Sequence, residues 1–142
     1  MIGSAQAANT IIEVVTRRKL NVGLDRLQAL LYLLDQRWLD EHGDHLIGEP
    51  FMVTVSGPRI PHIDTQYRRL LPDQLIVRYC EDAEGTVWMS AGDVAKMVGT
   101  IVEETKSQTT AELIIEITRP GLPWASALVA GVRYLHEAEP TR

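Results

Sequence analysis

A helix-rich α+β fold with a small antiparallel β-sheet is expected for this chain, and three features of the sequence carry that expectation. Between positions 21 and 42 leucines recur at three- and four-residue steps, the period of an α-helix. Apolar and polar residues then alternate over 51–55, the period of a strand. Strand formers return over 75–79 and 86–89, on either side of an acidic turn that ends in Gly85. With 142 residues the chain has the length of one ordinary domain, enough for a core that needs no disulfide or metal support. Its 45% hydrophobic and 23% charged residues place it among folded rather than disordered chains.

The first helix is expected over about 4–18, with Ala8, Ile11, Ile12 and Val15 on one face. The basic run Arg17-Arg18-Lys19 lies at its C-terminal end, where cations complement the helix dipole. Asn21 is a suitable N-cap for a second helix running to His42. There Leu24, Leu27, Leu31, Leu34 and Trp38 form a stripe that Leu30 and Leu33 widen, as befits the central helix of a core. Gly43 is placed to end it in a left-handed conformation.

After the strand at 51–55, Ser56-Gly57-Pro58 reads as a break, and Pro61 can occupy the first turn of another helix. In that helix Ile63, Tyr67 and Leu70 share a face and Arg68 and Arg69 point elsewhere. A β-hairpin is expected over 74–89. Two capping-box signatures follow, at Ser90–Asp93 and Thr109–Glu112, each opening a helix. Pro120-Gly121 stops the second of these. The stretch from Ala125 onward has no clear period, and its last residues are expected to fray.

Composition narrows the function classes. The formal net charge of −5 argues against a general affinity for nucleic acid, which rests on Lys and Arg at phosphates. A local patch of Arg17, Arg18, Arg68 and Arg69 is the form in which such binding would survive. Cys80 is the one cysteine, as expected of a reducing compartment, and Glu81 and Asp82 beside it should raise its pKa. The first residues lack a signal-peptide pattern and no stretch approaches membrane-spanning length, so a cytoplasmic protein with no membrane partner is expected.

No motif points to catalysis, a cofactor or a metal. Glu41, His42, Asp44 and His45 are potential ligands, but they fall where a helix gives way to a polar loop, without a further ligand pair at zinc spacing. Ser56, His62 and Asp64 carry the atoms of a nucleophile, base and orienter, yet lack the strand–elbow–helix context of a hydrolase. The stronger feature is Gly57-Pro58-Arg59-Ile60-Pro61, a corner stiffened by two prolines. A stiff corner can present a surface at small ordering cost, and Trp124 beside Pro123 could serve as an aromatic anchor.

These residues resemble a known family. Leu27-Gln28-Ala29-Leu30-Leu31-Tyr32, then Trp38 and Gly43, Glu49-Pro50, the 57–61 corner, and Thr118-Arg119 followed by Pro123-Trp124-Ala125 are similar in order and spacing to the Panacea domain. The similarity runs from about 24 to 127. Ala29, Arg59, the Val55-Ser56 pair and Arg119 depart from the family pattern, marking a divergent member.

The resemblance implies a non-enzymatic antitoxin that neutralises a toxin by direct contact, or, as in SocA-like members, an adaptor that delivers the toxin to a protease. A phage or prophage regulatory interaction module without a toxin partner is the alternative. The expected partner surface comprises Gly57, Pro58, Arg59, Pro61, Tyr67, Pro123 and Trp124, with Arg59 and Trp124 as anchors.

Overall fold

The computed structural model describes residues 1–66 and 79–138. In chain order the elements are α1 (Ser4–Arg17), α2 (Leu24–His42), β1 (Met52–Thr54), β2 (Gly57–Arg59), α3 (Pro61–Gln66), α4 (Gly92–Thr105), α5 (Thr110–Ile117), α6 (Pro123–Ala130) and a 3₁₀ turn, Leu135–Ala138. The fold is α+β and helix-rich, with a two-stranded antiparallel sheet.

The leucine stripe makes α2 the axis of the molecule. Leu27, Leu30, Leu31 and Leu34 are sealed from solvent, and the helix packs against α1, α4, α5 and β2. Full burial of one such side chain is worth about 1.5–3 kcal/mol. Gly43 ends α2 with φ 84°, a value at which a Cβ would be strained. The helix starts later than Asn21 suggests. Val22 is already buried, so the chain enters the core before the helix begins, and Gly23 supplies an extended N-cap.

On α1 the expected face of Ala8, Ile11, Ile12 and Val15 is buried. Its first turn meets the carboxylate of Glu49, which accepts from Ser4 N (3.0 Å) and Ser4 Oγ (2.7 Å). A carboxylate there satisfies free N–H groups and complements the dipole. At the far end of α2, the buried Asp35 serves the 45–47 loop. Its Oδ1 accepts from Leu46 N and Ile47 N, both at 2.9 Å, and His45 Nδ1 lies 2.6 Å from Oδ2.

The described residues contain a hairpin that the sequence does not anticipate. It joins β1 to β2, with Met52 opposite Arg59, Val53 opposite Pro58 and Thr54 opposite Gly57. Ser56-Gly57-Pro58 is therefore a turn and strand start rather than a break. Proline is acceptable in β2 because a two-stranded sheet offers edge positions. Gly57 takes φ 101°, and Thr54 Oγ1 spans the turn by donating to Gly57 O (2.8 Å). The turn also carries Val55 out to 93% exposure, where simple alternation would put it with the buried Phe51. On the other side of β1, Val53 N donates to Arg133 O and Leu135 N to Phe51 O, so the late chain lines up beside the sheet.

The first strand of the hairpin expected over 74–89 falls, apart from Tyr79, outside the described residues. Residues 86–89 form no strand. They belong to a strap, residues 79–90, that side chains of α1 hold in place. Asn9 Nδ2 donates to Cys80 O (2.9 Å) and Trp88 O (3.0 Å), and Asn9 Oδ1 accepts from Cys80 N (2.9 Å). One buried amide thus does the work of a neighbouring strand. Thr10 Oγ1 accepts from Ser90 N (2.8 Å), and Gln6 Nε2 donates to Ser90 Oγ (3.1 Å). With Ser90 engaged on α1, the first capping box does not form, and α4 starts from Ala91 without a side-chain cap. The second forms as expected: Glu112 N donates to Thr109 Oγ1 (3.1 Å) and Thr109 N to Glu112 Oε1 (3.4 Å).

Two predictions follow from the strap. Asn9→Leu should lower unfolding stability by about 1–2 kcal/mol in urea titrations, since it leaves three part-buried backbone groups of the strap without this partner. Hydrogen exchange over 79–90 should accelerate with it. The second concerns Tyr79, whose hydroxyl donates to Glu13. That bond holds the Glu13 carboxyl below its usual range against the opposing effect of burial, with Arg17 adding to the depression. A depressed carboxyl stabilises the fold above its unfolded pKa, and the benefit is lost as pH falls through the folded value. Tyr79→Phe should therefore lower the urea midpoint at pH 7 and flatten its decline below about pH 4.5.

Candidate functional site

Three of the stretches singled out in the sequence meet at one end of the molecule. The first contact is a buried amide. Gln28, in the middle of the leucine stripe, donates from Nε2 to Ile60 O (2.9 Å) and accepts at Oε1 from Ile60 N (2.8 Å). Gln28 and Ile60 are each 1% exposed. A residue between a strand and a helix has no ladder partner, and Gln28 provides both halves of one. Its Nε2 also lies 3.1 Å from Asp64 Oδ1.

The second contact is ionic. Arg59 donates from Nε to Asp64 Oδ2 (3.0 Å), from Nη2 to Asp64 Oδ1 (2.7 Å) and from Nη1 to Asp25 Oδ1 (2.5 Å). Burial works against its charge, but the hydrogen bonds to Asp64 and Asp25 outweigh it and hold the guanidinium above its ordinary pKa. The forked guanidinium thus ties β2 to the first turns of both α2 and α3.

The third contact brings in the late chain. Trp124 Nε1 donates to Thr54 O (2.9 Å), which pins α6 to the hairpin. A Cβ on Gly57 would stand 3.4 Å from Thr118 Cγ2, so α5 closes on the same corner.

The corner and the Pro123-Trp124 segment are thus brought together, but not all of the expected contact residues face outward. Gly57, Pro58 and Arg59 are buried. Arg59 is consequently not a free anchor: two carboxylates already satisfy it, and its function is to brace the corner. Pro61 and Trp124 are half-buried and Pro123 is exposed, so these three keep surface available. Tyr67 lies outside the described residues, as do Arg68 and Arg69. Val55 at the hairpin tip, which the sequence does not mark, is the most exposed apolar side chain of the corner.

The alternative chemistries are separated by the same geometry. Asp64 is engaged by Arg59 and Gln28, and neither Ser56 nor His62 hydrogen-bonds to it among the described residues. His42 stacks on Trp38 with ring centroids 3.9 Å apart, whereas His45 is turned to Asp35. Among the described residues no group of three or more His, Cys, Asp or Glu side chains is placed to hold a metal ion. The Cys80 thiol is pushed up by burial first and by Glu81 second. No described helix is long and apolar enough to cross a membrane.

No family profile, curated protein or solved structure matches this chain.

Because Gln28 is the partner of the buried Ile60 N–H and shares its C=O with Ile63 N, Gln28→Ala should destabilise the protein by roughly 1–3 kcal/mol, read from urea unfolding. Gln28→Glu keeps the acceptor but removes the donor and sets a charge beside Asp64, so it should be at least as damaging.

Proposed function

We propose that this protein is a non-enzymatic, cytoplasmic protein-binding module of the antitoxin type, which neutralises a toxin by direct contact. The observation that carries the reading is spatial. The stretches that resemble the Panacea domain, around Gln28, at 57–61 and at 118–124, are far apart in sequence and meet at one braced corner. A surface held by a buried amide, a forked ion pair and an indole hydrogen bond is ordered before any partner arrives, which reduces the entropy lost on binding. Val55 at the tip, with Pro61, Pro123 and the exposed part of Trp124, supplies the apolar contact such a surface requires.

The test is co-expression with the product of the adjacent gene. Growth should be lost when that product is expressed alone and restored by this protein. Val55→Asp should abolish rescue and weaken capture of the purified product at least about ten-fold, while leaving unfolding stability within about 0.5 kcal/mol, as befits an exposed position. An adjacent product that is harmless alone, or whose toxicity this protein does not relieve, overturns the reading. Capture of a harmless partner through the same corner supports the regulatory interaction module in its place.

A further inference from the structure

A second surface, away from the hairpin corner, has the properties of a self-complementary interface. A groove of about 1180 Å³ lies between α1 and α4, with Arg17, Arg18, Lys96 and Lys106 at its rim and Val14 and Ala95 among its apolar walls. Gly99 on α4 lets the Arg18 guanidinium approach closely, since a Cβ there would stand 3.0 Å from Arg18 Nη2. Two carboxylates border the groove. Glu104 is taken by Arg37 from α2 (2.7 Å), and Glu103 is shared between Arg18 and Lys106. Arg17 is paired along its own helix with Glu13, and Lys96 has no ion-pair partner among the described residues. The groove is thus locally positive in a chain whose net charge is −5.

The strap beside it has the opposite character. Glu81, Asp82 and Glu84 are acidic, and no Lys or Arg occurs between 79 and 95. The strap also presents Trp88 and Met89 at 59% and 41% exposure. The Trp88 indole is fixed in place, donating from Nε1 to Asp82 Oδ2 (2.8 Å), and Asn9 holds the Trp88 carbonyl. An exposed aromatic residue held this way has little ordering left to lose on binding.

The two surfaces share a scaffold. The strap lies over Gln6, Asn9 and Thr10 on the N-terminal half of α1, and the groove borders Val14, Arg17 and Arg18 on the C-terminal half. Opposite charges side by side on one flank suit a two-fold pair, in which each patch meets its counterpart twice. We propose that this flank is a homodimer interface: the acidic, aromatic strap of each copy docks in the basic groove of the other. The interface is independent of the toxin-binding corner, so either can fail without the other. Nucleic acid is the poorer occupant, because Glu103 and Glu104 stand in the groove and the whole chain is acidic.

Charge reversal tests this in a closed set. In one variant the groove is reversed (Arg17→Glu with Lys96→Glu); in the other the strap is reversed (Glu81→Lys with Glu84→Lys). All four positions are exposed, and circular dichroism and thermal melts check that the fold is intact. By sedimentation velocity in low salt, the wild-type chain should dimerise, with its dissociation constant rising at least about ten-fold in high salt as screening shortens the reach of the charges. Each variant alone should be monomeric, because its groove and strap then carry like charge. Mixed in equal amounts, the two should form a one-to-one heterodimer, since every groove again meets an opposite strap. A wild-type chain that stays monomeric at high micromolar concentration in low salt overturns the proposal. So do variants that dimerise as tightly as wild type, or a mixture that stays monomeric.

Discussion

A buried amide on the central helix governs the shape of the hairpin end. Ile60 lies in the short passage from strand to helix, where its C=O accepts from Ile63 N but no ladder or helix bond serves its N–H, and it is as buried as the leucines around it. Without a partner for its N–H and C=O that burial would be unfavourable. Gln28 resolves the conflict from within a stripe of leucines, where an apolar residue would leave the Ile60 N–H without a partner and its C=O with Ile63 N alone. Once Ile60 is fixed, Arg59 falls between Asp25 and Asp64, Gly57 meets Thr118, and the hairpin turn offers Thr54 O to Trp124.

The same device recurs on α1. Asn9 serves the backbone of the strap much as Gln28 serves that of the corner, and Asp35 does so for the 45–47 loop. In each case a polar side chain on the buried face of a largely apolar helix holds an irregular segment. The arrangement replaces regular sheet with side-chain-to-backbone bonding, which is how so helix-rich a chain secures the non-helical segments at 45–47, at 60 and at 80–88. Arg26 extends the theme, its guanidinium closing the end of α4 through Thr105 O (2.6 Å) and Gln108 O (2.8 Å).

What the sequence revealed and what it concealed divide along this line. Period and local chemistry were sufficient for α1, for α2 with its glycine stop and for the Thr109 capping box, because each depends on residues within one or two turns. The hairpin at 52–59 was not anticipated because strand propensity disfavours Gly57 and Pro58, and propensity does not register the pairing that Thr54 and Gly57 make across their turn. Ser90 has the local form of a cap, but α1 offers it better partners than the helix that follows. At the candidate site the sequence located the corner and not its orientation. Arg59 reads as an exposed anchor until the two aspartates that enclose it, 34 residues before and five after, are brought together by the fold. Gln28, Asn9 and Asp35 leave one recognisable sign, a polar residue among apolar ones on a helical face, and that sign does not say what backbone it will meet.

The three tryptophans occupy three unlike surroundings: Trp38 lies flat on an imidazole, Trp124 is sunk against the sheet, and Trp88 looks out from the strap on a carboxylate tether. Their emission should therefore differ in colour and in accessibility to a dissolved quencher, so the chain carries its own optical reporters. Light from Trp88 follows events on the strap, light from Trp124 follows the hairpin, and no foreign dye is needed to tell the two ends of the molecule apart.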